Sequence, residues 1–300
     1  MIALLMMLMQ VGPYPHVYNQ AALPIITQKR RDTPVDPVAA PLAPLADPLS
    51  ECMERAHADP AAGLSYARDW LARAKTPDAR AHADQCLGLI DNDLADYAGA
   101  QAAFADAVAA IPAGDTATTV SAMAMAGNAA MANGDPALGL TWFDRALAVK
   151  AYDNAPSRGG IEADRSRALV ALDRMPEAGV ALAEARRLAP GDAGVFLLSA
   201  TWARRNHDLP GAQGYIETAA TIDARDPAIG LEAGVIAMLS GHEAAARKSW
   251  KSVVSTAPDS SEAETARGYL GQLGPATPGS QSSGPLDPAE AHPTSEATHH

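Results

Sequence analysis

The stretch that decides the fold is residues 87–112, which read LGLIDNDLADYAGAQAAFADAVAAIP. Gly88 is followed, at offsets of 12, 16, 19 and 24 residues, by a small, a large apolar, a small and a helix-ending residue: Ala100, Phe104, Ala107 and Pro112. Steps of three and four residues place apolar side chains on one face of a helix. Proline ends a helix because it has no N–H to continue the hydrogen-bond ladder. The stretch therefore predicts two helices that pack closely through their small residues.

The same offsets select a similar order of small and large residues four more times, with proline at the closing position in two of the four. These repeats begin at Gly127, Ser166, Ala200 and Gly234, and the successive starts differ by 39, 39, 34 and 34 residues. Their other members are, in order, Gly139, Phe143, Ala146, Ala151; Ala178, Leu182, Ala185, Pro190; Ala212, Ile216, Ala219, Ala224; and Ala246, Trp250, Val253, Pro258. We interpret the two longer intervals as ordinary units with about five extra residues in a loop, placed at 113–119 and 153–159.

This arrangement resembles the tetratricopeptide repeat family, whose unit of about 34 residues carries the same order of small, large and closing residues. The resemblance implies an all-α fold: a right-handed superhelical solenoid of helix hairpins, which stack because one hairpin alone leaves its apolar face exposed. One more repeat interval beyond Gly234 reaches Gly268, so residues 261–273 are expected to form a C-terminal capping helix. Residues 49–57 and 61–74 match poorly and are expected to form a degenerate first hairpin.

Composition agrees with an all-helical fold and limits the function. Hydrophobic residues make up 48% of the chain but aromatic residues only 5%, because alanine supplies much of the apolar total. Alanine is the strongest helix former, and its small side chain lets helices approach closely. The formal net charge of −12 argues against general nucleic-acid binding, since that requires a basic surface.

The two ends of the chain differ in composition from the repeats. We divide the chain into an amino-terminal start (1–22), a proline-rich linker (23–48), the helical repeat domain (49–273) and a disordered tail (274–300). The apolar run at 2–9 resembles the core of a secretory signal peptide, although no Lys or Arg precedes it and no clear cleavage site follows. It is too short to span a membrane. A periplasmic or exported location and a cytoplasmic one both stay open, and no further membrane association is expected.

Catalytic and metal-binding motifs are not evident in the sequence. It has no GxSxG, P-loop, HExxH or CxxC motif, so we expect no enzyme activity, no cofactor and no small-molecule substrate. His82 and Cys86 share a helix face as metal ligands can, but Cys52 and His57 are five residues apart and point in different directions. A small buried thiol at Cys86 is the favoured interpretation. Whether the two cysteines are free, paired or metal-bound stays open.

The resemblance also implies where a partner binds. In this family the first helix of each hairpin lines a concave groove, and the matching positions here include Asn128, Arg167, Thr201, Arg204, Val235 and Met238. Asn128 and Arg167 match part of the clamp by which some members hold a terminal carboxylate, but the clamp's lysine positions hold other residues. We predict a groove that takes an extended or helical segment with an acidic group near Arg167 and Arg204. The alternative is that these are ordinary solvated side chains.

The sequence thus predicts a non-enzymatic scaffold that holds an unknown protein or peptide in this groove. Two alternatives stay open: a cytoplasmic adaptor of the co-chaperone kind, and a regulatory or accessory subunit of an enzyme complex. Among the aromatic residues, Phe143 and Trp250 are predicted to lie in the core, whereas Trp142 and Trp202 are candidates for exposure.

Overall fold

A computed structural model describes residues 47–274, and every regular element in that range is an α-helix. The helices, in chain order, are α1 (Pro48–Ala58), α2 (Pro60–Arg73), α3 (Pro77–Asp93), α4 (Tyr97–Ala110), α5 (Thr116–Ala132), α6 (Pro136–Ala148), α7 (Ala155–Ala171), α8 (Met175–Leu188), α9 (Ala193–Arg205), α10 (Leu209–Ile222), α11 (Pro227–Leu239), α12 (Glu243–Thr256) and α13 (Ser261–Leu273). The predicted all-α class is confirmed for these residues. The predictions for 1–22, for the tail and for nearly all of the linker lie outside them.

The helices form two compact units, one holding α1 to α10 (residues 47–223) and one holding α11 to α13 (residues 224–274). In the first unit each odd-numbered helix packs on the even-numbered helix that follows it, and that helix packs on the first helix of the next hairpin. In the second unit α13 packs on both α11 and α12. It occupies the place predicted for a capping helix. Over the described range, no helix has the length and apolar character that crossing a membrane requires.

The turns inside the hairpins repeat with the period of the sequence. In the five hairpins from α3–α4 to α11–α12, one turn residue adopts the left-handed conformation: Ala95, Gly134, Asp173, His207 and Gly241. The turn between α1 and α2 has an extended residue, Asp59, instead. After three of these turns an aspartate accepts a hydrogen bond from a backbone N–H of the next helix, at 2.9 Å from each of Asp96, Asp135 and Asp208. A carboxylate is stabilising there because the first N–H groups of a helix have no partner within the helix.

In these five hairpins the core matches a small residue on one helix to a large residue on the other. A Cβ atom built on Gly88 would lie 2.6 Å from the ring of Phe104, and one built on Gly127 would lie 2.5 Å from the ring of Phe143. In the second unit, the Trp250 indole occupies the same space beside Gly234. The repeats that carry an aliphatic residue in place of the ring have Ser166 or Ala200 opposite instead of glycine. The size of the small residue therefore follows the size of the side chain packed on it.

The five extra residues of the two long repeats do not form the predicted loops at 113–119 and 153–159; that prediction was wrong. Helix α5 begins at Thr116 and α7 at Ala155, and each has 17 residues, whereas α9 and α11 have 13. Most of the extra length is therefore one more helical turn at the start of the first helix. Asp115 and Asn154 cap these longer helices, since each side chain accepts a hydrogen bond from a first-turn N–H, that of Thr118 and that of Ser157.

The two cysteines form a disulfide. It joins Cys52 of α1 to Cys86 of α3, with the two Cα atoms 6.4 Å apart, and both residues are fully buried. Of the three states that the sequence left open, the structure has the paired one. The two sulfur atoms are bonded to each other, so neither serves as a thiolate ligand in the arrangement weighed with His82.

Candidate partner-binding surface

The first helices of the hairpins in the first unit present one face of similar character. The first-helix face, as we call it, comprises part-exposed residues at helical spacing on α3, α5, α7 and α9: His82, Leu89, Ser121, Ala124, Asn128, Asp164, Arg167 and Leu197. Adjacent first helices contact one another between α5 and α7 and between α7 and α9. Short side chains on α5, such as Ser121 and Ala124, leave its backbone close to the surface. The face therefore combines apolar patches with a few polar groups at fixed positions.

Asp164 is the centre of the polar part of this face. The Asn128 amide nitrogen of α5 donates a hydrogen bond to one carboxylate oxygen of Asp164 on α7, at 3.1 Å, and Arg167 forms an ion pair with the other oxygen. The side chains of Asp164 and Arg167 are only 14% and 18% exposed. Burial raises the pKa of Asp164, and the Arg167 charge and the Asn128 hydrogen bond act in the opposite direction. The cluster therefore links two hairpins and leaves part of each polar group accessible.

The sequence predicted Asn128 and Arg167 as site residues but missed Asp164. The sequence did contain a sign of this pair. Asp164 lies three residues before Arg167, and acidic and basic side chains at that spacing on a helix form ion pairs. Since Asp164 already neutralises Arg167, an acidic guest group would compete with an internal carboxylate. A basic guest group would be attracted to the same carboxylate.

The other predicted site residues are buried. In the first unit Thr201 is 6% exposed and Arg204 only 1%. In the second unit Val235 is 2% exposed and Met238 5%. A long basic side chain that far from water cannot reach a guest on the surface without moving. The structure thus brings Asn128 and Arg167 together and keeps the other four side chains away from the solvent.

Two tryptophans were candidates for exposure, and neither is freely exposed. Trp142 is 8% exposed, and the guanidinium of Arg145 lies 4.2 Å from the centre of its ring system. Its indole nitrogen is buried and has no hydrogen-bond partner within the described part of the chain. Trp202 is partly buried beside Gly179 and donates a hydrogen bond to the Met175 carbonyl oxygen at 2.9 Å. Phe143 and Trp250 are fully buried, as predicted.

One further carboxyl group is buried on α3. Asp84 is 5% exposed, and burial raises its pKa to about 6. The charge of Asp106 raises this pKa as well, while that of Arg80 lowers it. Among residues 47–274, no group of three or more His, Cys, Asp and Glu side chains is placed to hold a metal ion.

Together the paired helices, the period of the turns and the small-to-large packing define an all-α helical repeat of the tetratricopeptide kind. No protein-family model and no curated protein sequence matches the chain. Solved structures do resemble it. PilW, described as a widely conserved type IV pilus biogenesis factor, aligns with 18% identity and a TM-score of 0.61 over 73% of this chain and 96% of its own.

Two further structures agree with this assignment. PilF of Pseudomonas aeruginosa has 13% identity and a TM-score of 0.57, covering 74% of this chain and 96% of its own. TTC0263, a thermophilic TPR protein of Thermus thermophilus, has 18% identity and a TM-score of 0.53, covering 63% of this chain and 97% of its own. The predicted tetratricopeptide repeat fold is confirmed.

Proposed function

We propose that this protein is a non-enzymatic scaffold that binds a protein or peptide segment on the first-helix face. The observation that carries the proposal is the cluster of Asn128, Asp164 and Arg167. It offers a hydrogen-bond donor, an acceptor and a positive charge within one small area that is partly open to solvent. Such a group fixes the register of a bound chain, while neighbouring apolar side chains such as Leu89 and Leu197 supply contact area.

The predicted preference for an acidic guest is revised in this proposal. Arg204 is buried, so recognition of a carboxylate falls to Arg167, which Asp164 already engages. We expect the guest to present a polar group that shares this cluster, such as a backbone amide or a side-chain amide, instead of a terminal carboxylate alone. The Asn128 amide is suited to this role because it can donate and accept at once.

A scaffold role in assembling an extracellular or envelope structure is the version that we favour. PilW has this fold and is described as a pilus biogenesis factor, which is consistent with such a role for this chain. A buried disulfide also favours an oxidising compartment over the cytoplasm. The cytoplasmic adaptor and the accessory subunit of an enzyme complex remain the alternatives.

A pair of matched variants tests the surface. Ser121 and Thr141 are both exposed, but Ser121 lies on the first-helix face and Thr141 lies on the second helix of the same hairpin. In affinity purification from the source cells, Ser121→Arg is expected to lose the partner that the unmodified chain recovers, because a long charged side chain blocks the face. Thr141→Arg is expected to retain that partner.

Equal recovery by both variants would contradict the first-helix face as the binding surface. Circular dichroism of each variant controls for folding. An enzyme among the recovered proteins, with activity that changes when this chain is added, would favour the accessory-subunit alternative. Recovery of structural components of an envelope assembly would favour the scaffold.

A further inference from the structure

The disulfide joins equivalent positions of two successive hairpins. Cys52 and Cys86 are separated by 34 residues, the interval of the shorter repeats, and they lie on α1 and α3, which are the first helices of their hairpins. The equivalent residues of the next two first helices are Met125 and Asp164. At Asp164 the link to the preceding first helix is noncovalent, because this carboxylate accepts a hydrogen bond from the Asn128 amide of α5.

The hairpin of α1 and α2 is well packed within itself. A Cβ atom built on Gly63 would lie 2.6 Å from the Cα atom of Ala56, so the two helices cross in close contact. The Tyr66 hydroxyl donates a hydrogen bond to Glu51 at 3.0 Å, and the Arg55 guanidinium lies 4.7 Å from the centre of the Tyr66 ring. Removal of the disulfide leaves all of these contacts in place.

The two sulfur atoms form a large part of the fully buried contact between this hairpin and α3. The buried residues of its apolar cluster are Cys52, Ala67, Cys86 and Ile90, so the disulfide supplies half of them. The other apolar side chains packed against the cluster are only partly buried: Leu49, Met53, Ala56, Leu64, Tyr66, Trp70 and Leu87. By comparison, the cluster that joins the five helices α4 to α8 has 18 buried residues, including the aromatic residues Phe104, Trp142 and Phe143. Among the described residues this hairpin has a neighbouring hairpin on one side only, whereas the hairpins that follow it in the same unit, up to α7 and α8, have one on each side. Its docking is therefore the step most sensitive to the loss of one strong contact.

We propose that the Cys52–Cys86 bond is a redox-dependent latch that holds the amino-terminal hairpin on α3. In the oxidised protein the hairpin is docked and covers Ile90; in the reduced protein the hairpin separates from α3 while the remaining hairpins stay folded. Reduction breaks the S–S bond and gives two thiols, with two electrons and two protons supplied by a dithiol that itself becomes a disulfide. Closing the latch is the reverse exchange, with a disulfide-bearing oxidant. The latch does not depend on the proposed function.

The test compares the oxidised and reduced forms of the full chain by hydrogen exchange with mass spectrometry. In the docked state both sulfur atoms are buried, so a dithiol reaches them only when the hairpin opens locally. To make reduction complete, the reduced sample is prepared by unfolding in denaturant with tris(2-carboxyethyl)phosphine and refolding in the same reductant. Alkylation verifies two free thiols. We expect amide exchange in α1 and α2 to accelerate on the order of 10²-fold to 10³-fold, as the loss of a crosslink over this chain length implies. Peptides of α5 and α6 are expected to keep their protection.

Two further samples make the result decisive. Reoxidation of the reduced chain is expected to restore protection in α1 and α2. The double variant Cys52→Ala, Cys86→Ala is expected to exchange like the reduced chain without any reductant. Unchanged protection of α1 and α2 in the fully reduced chain would overturn the latch, and so would loss of protection in α5 and α6, because the bond would then stabilise the whole unit.

Discussion

The ring of Phe143 fills the space that a side chain on Gly127 would need: a Cβ atom built on that glycine would lie 2.5 Å from Cε1 of the ring. Phe143 is fully buried and belongs to the cluster that joins several hairpins of the first unit. Added volume at Gly127 therefore cannot be accommodated by moving the ring into solvent. It has to displace α5 from α6.

We expect Gly127→Ala to lower the free energy of unfolding by about 1–3 kcal/mol, the usual cost of overpacking, even though alanine is the better helix former. The measurement is chemical denaturation followed by circular dichroism. Gly160→Ala is the matched control. Gly160 also lies within a first helix, but no atom lies within 4 Å of the place of its Cβ, so this variant is expected to gain about 0.5–1 kcal/mol. Stabilisation by both substitutions would contradict the close-packing account.

The pairing of Gly127 with Phe143 is a part of the fold that the sequence predicts. Offsets between small and large residues identify which side chains pack against each other, because that packing requires particular volumes at particular helical positions. Loop length is less well determined: Asp115 and Asn154 look like loop residues in the sequence, but in the structure they cap helices α5 and α7, which begin earlier than predicted. Charged residues are the hardest to place. The burial of Arg204 and the pairing of Arg167 with Asp164 depend on neighbours in three dimensions.

The left-handed turns give a second prediction about stability. Ala95 and Gly134 occupy equivalent turns with φ of 60° and 81°, and Ala95 is exposed, so its methyl group contributes little packing. A left-handed conformation costs a residue with a Cβ atom about 1–2 kcal/mol. We therefore expect Ala95→Gly to raise the free energy of unfolding, and Gly134→Ala to lower it, each by about 0.5–1.5 kcal/mol.

Thermal unfolding of these two single variants measures both effects. The space around Gly134 is open, with no atom within 4 Å of the place of its Cβ. A loss of stability in Gly134→Ala would therefore come from the backbone conformation and not from a steric clash. An unchanged melting temperature in both variants would mean that these turns carry no conformational strain.

Arg158 connects two hairpins through the end of α6. Its guanidinium donates hydrogen bonds to the carbonyl oxygens of Leu147, at 2.8 Å, and of Val149 and Tyr152, each at 3.3 Å. These carbonyls lie at or beyond the carboxyl end of a helix, where backbone acceptors lack intrahelical partners. We expect Arg158→Ala to lower the free energy of unfolding by about 1–3 kcal/mol, because the part-buried carbonyl oxygens of Leu147 and Tyr152 lose this donor, whereas that of Val149 keeps the hydrogen bond from the Tyr152 N–H.

Two variants accompany this measurement by chemical denaturation. Arg158→Lys keeps the charge but lacks the fork of donors, so it is expected to recover only part of the loss. Arg187→Ala removes an exposed arginine that pairs with Glu184 on the same helix, and it is expected to change stability by less than about 0.5 kcal/mol. Equal effects of Arg158→Ala and Arg187→Ala would mean that the three carbonyl contacts contribute nothing specific.

Asp84 makes stability depend on pH in a defined direction. Burial raises the pKa of this carboxyl to about 6 in the folded chain, above its value in the unfolded chain, so the folded state binds the proton more tightly. The resulting stabilisation is fully present below about pH 4 and is lost as the pH rises to about 6. Asp84→Asn mimics the neutral form, so we expect it to melt several degrees above the unmodified chain at pH 7.5 and at nearly the same temperature at pH 4.

The exposed Asp93 on the same helix provides the control, and Asp93→Asn is expected to have the melting temperature of the unmodified chain at both pH values. A constant difference between Asp84→Asn and the unmodified chain across this range would show that the carboxyl is not held in its neutral form by burial.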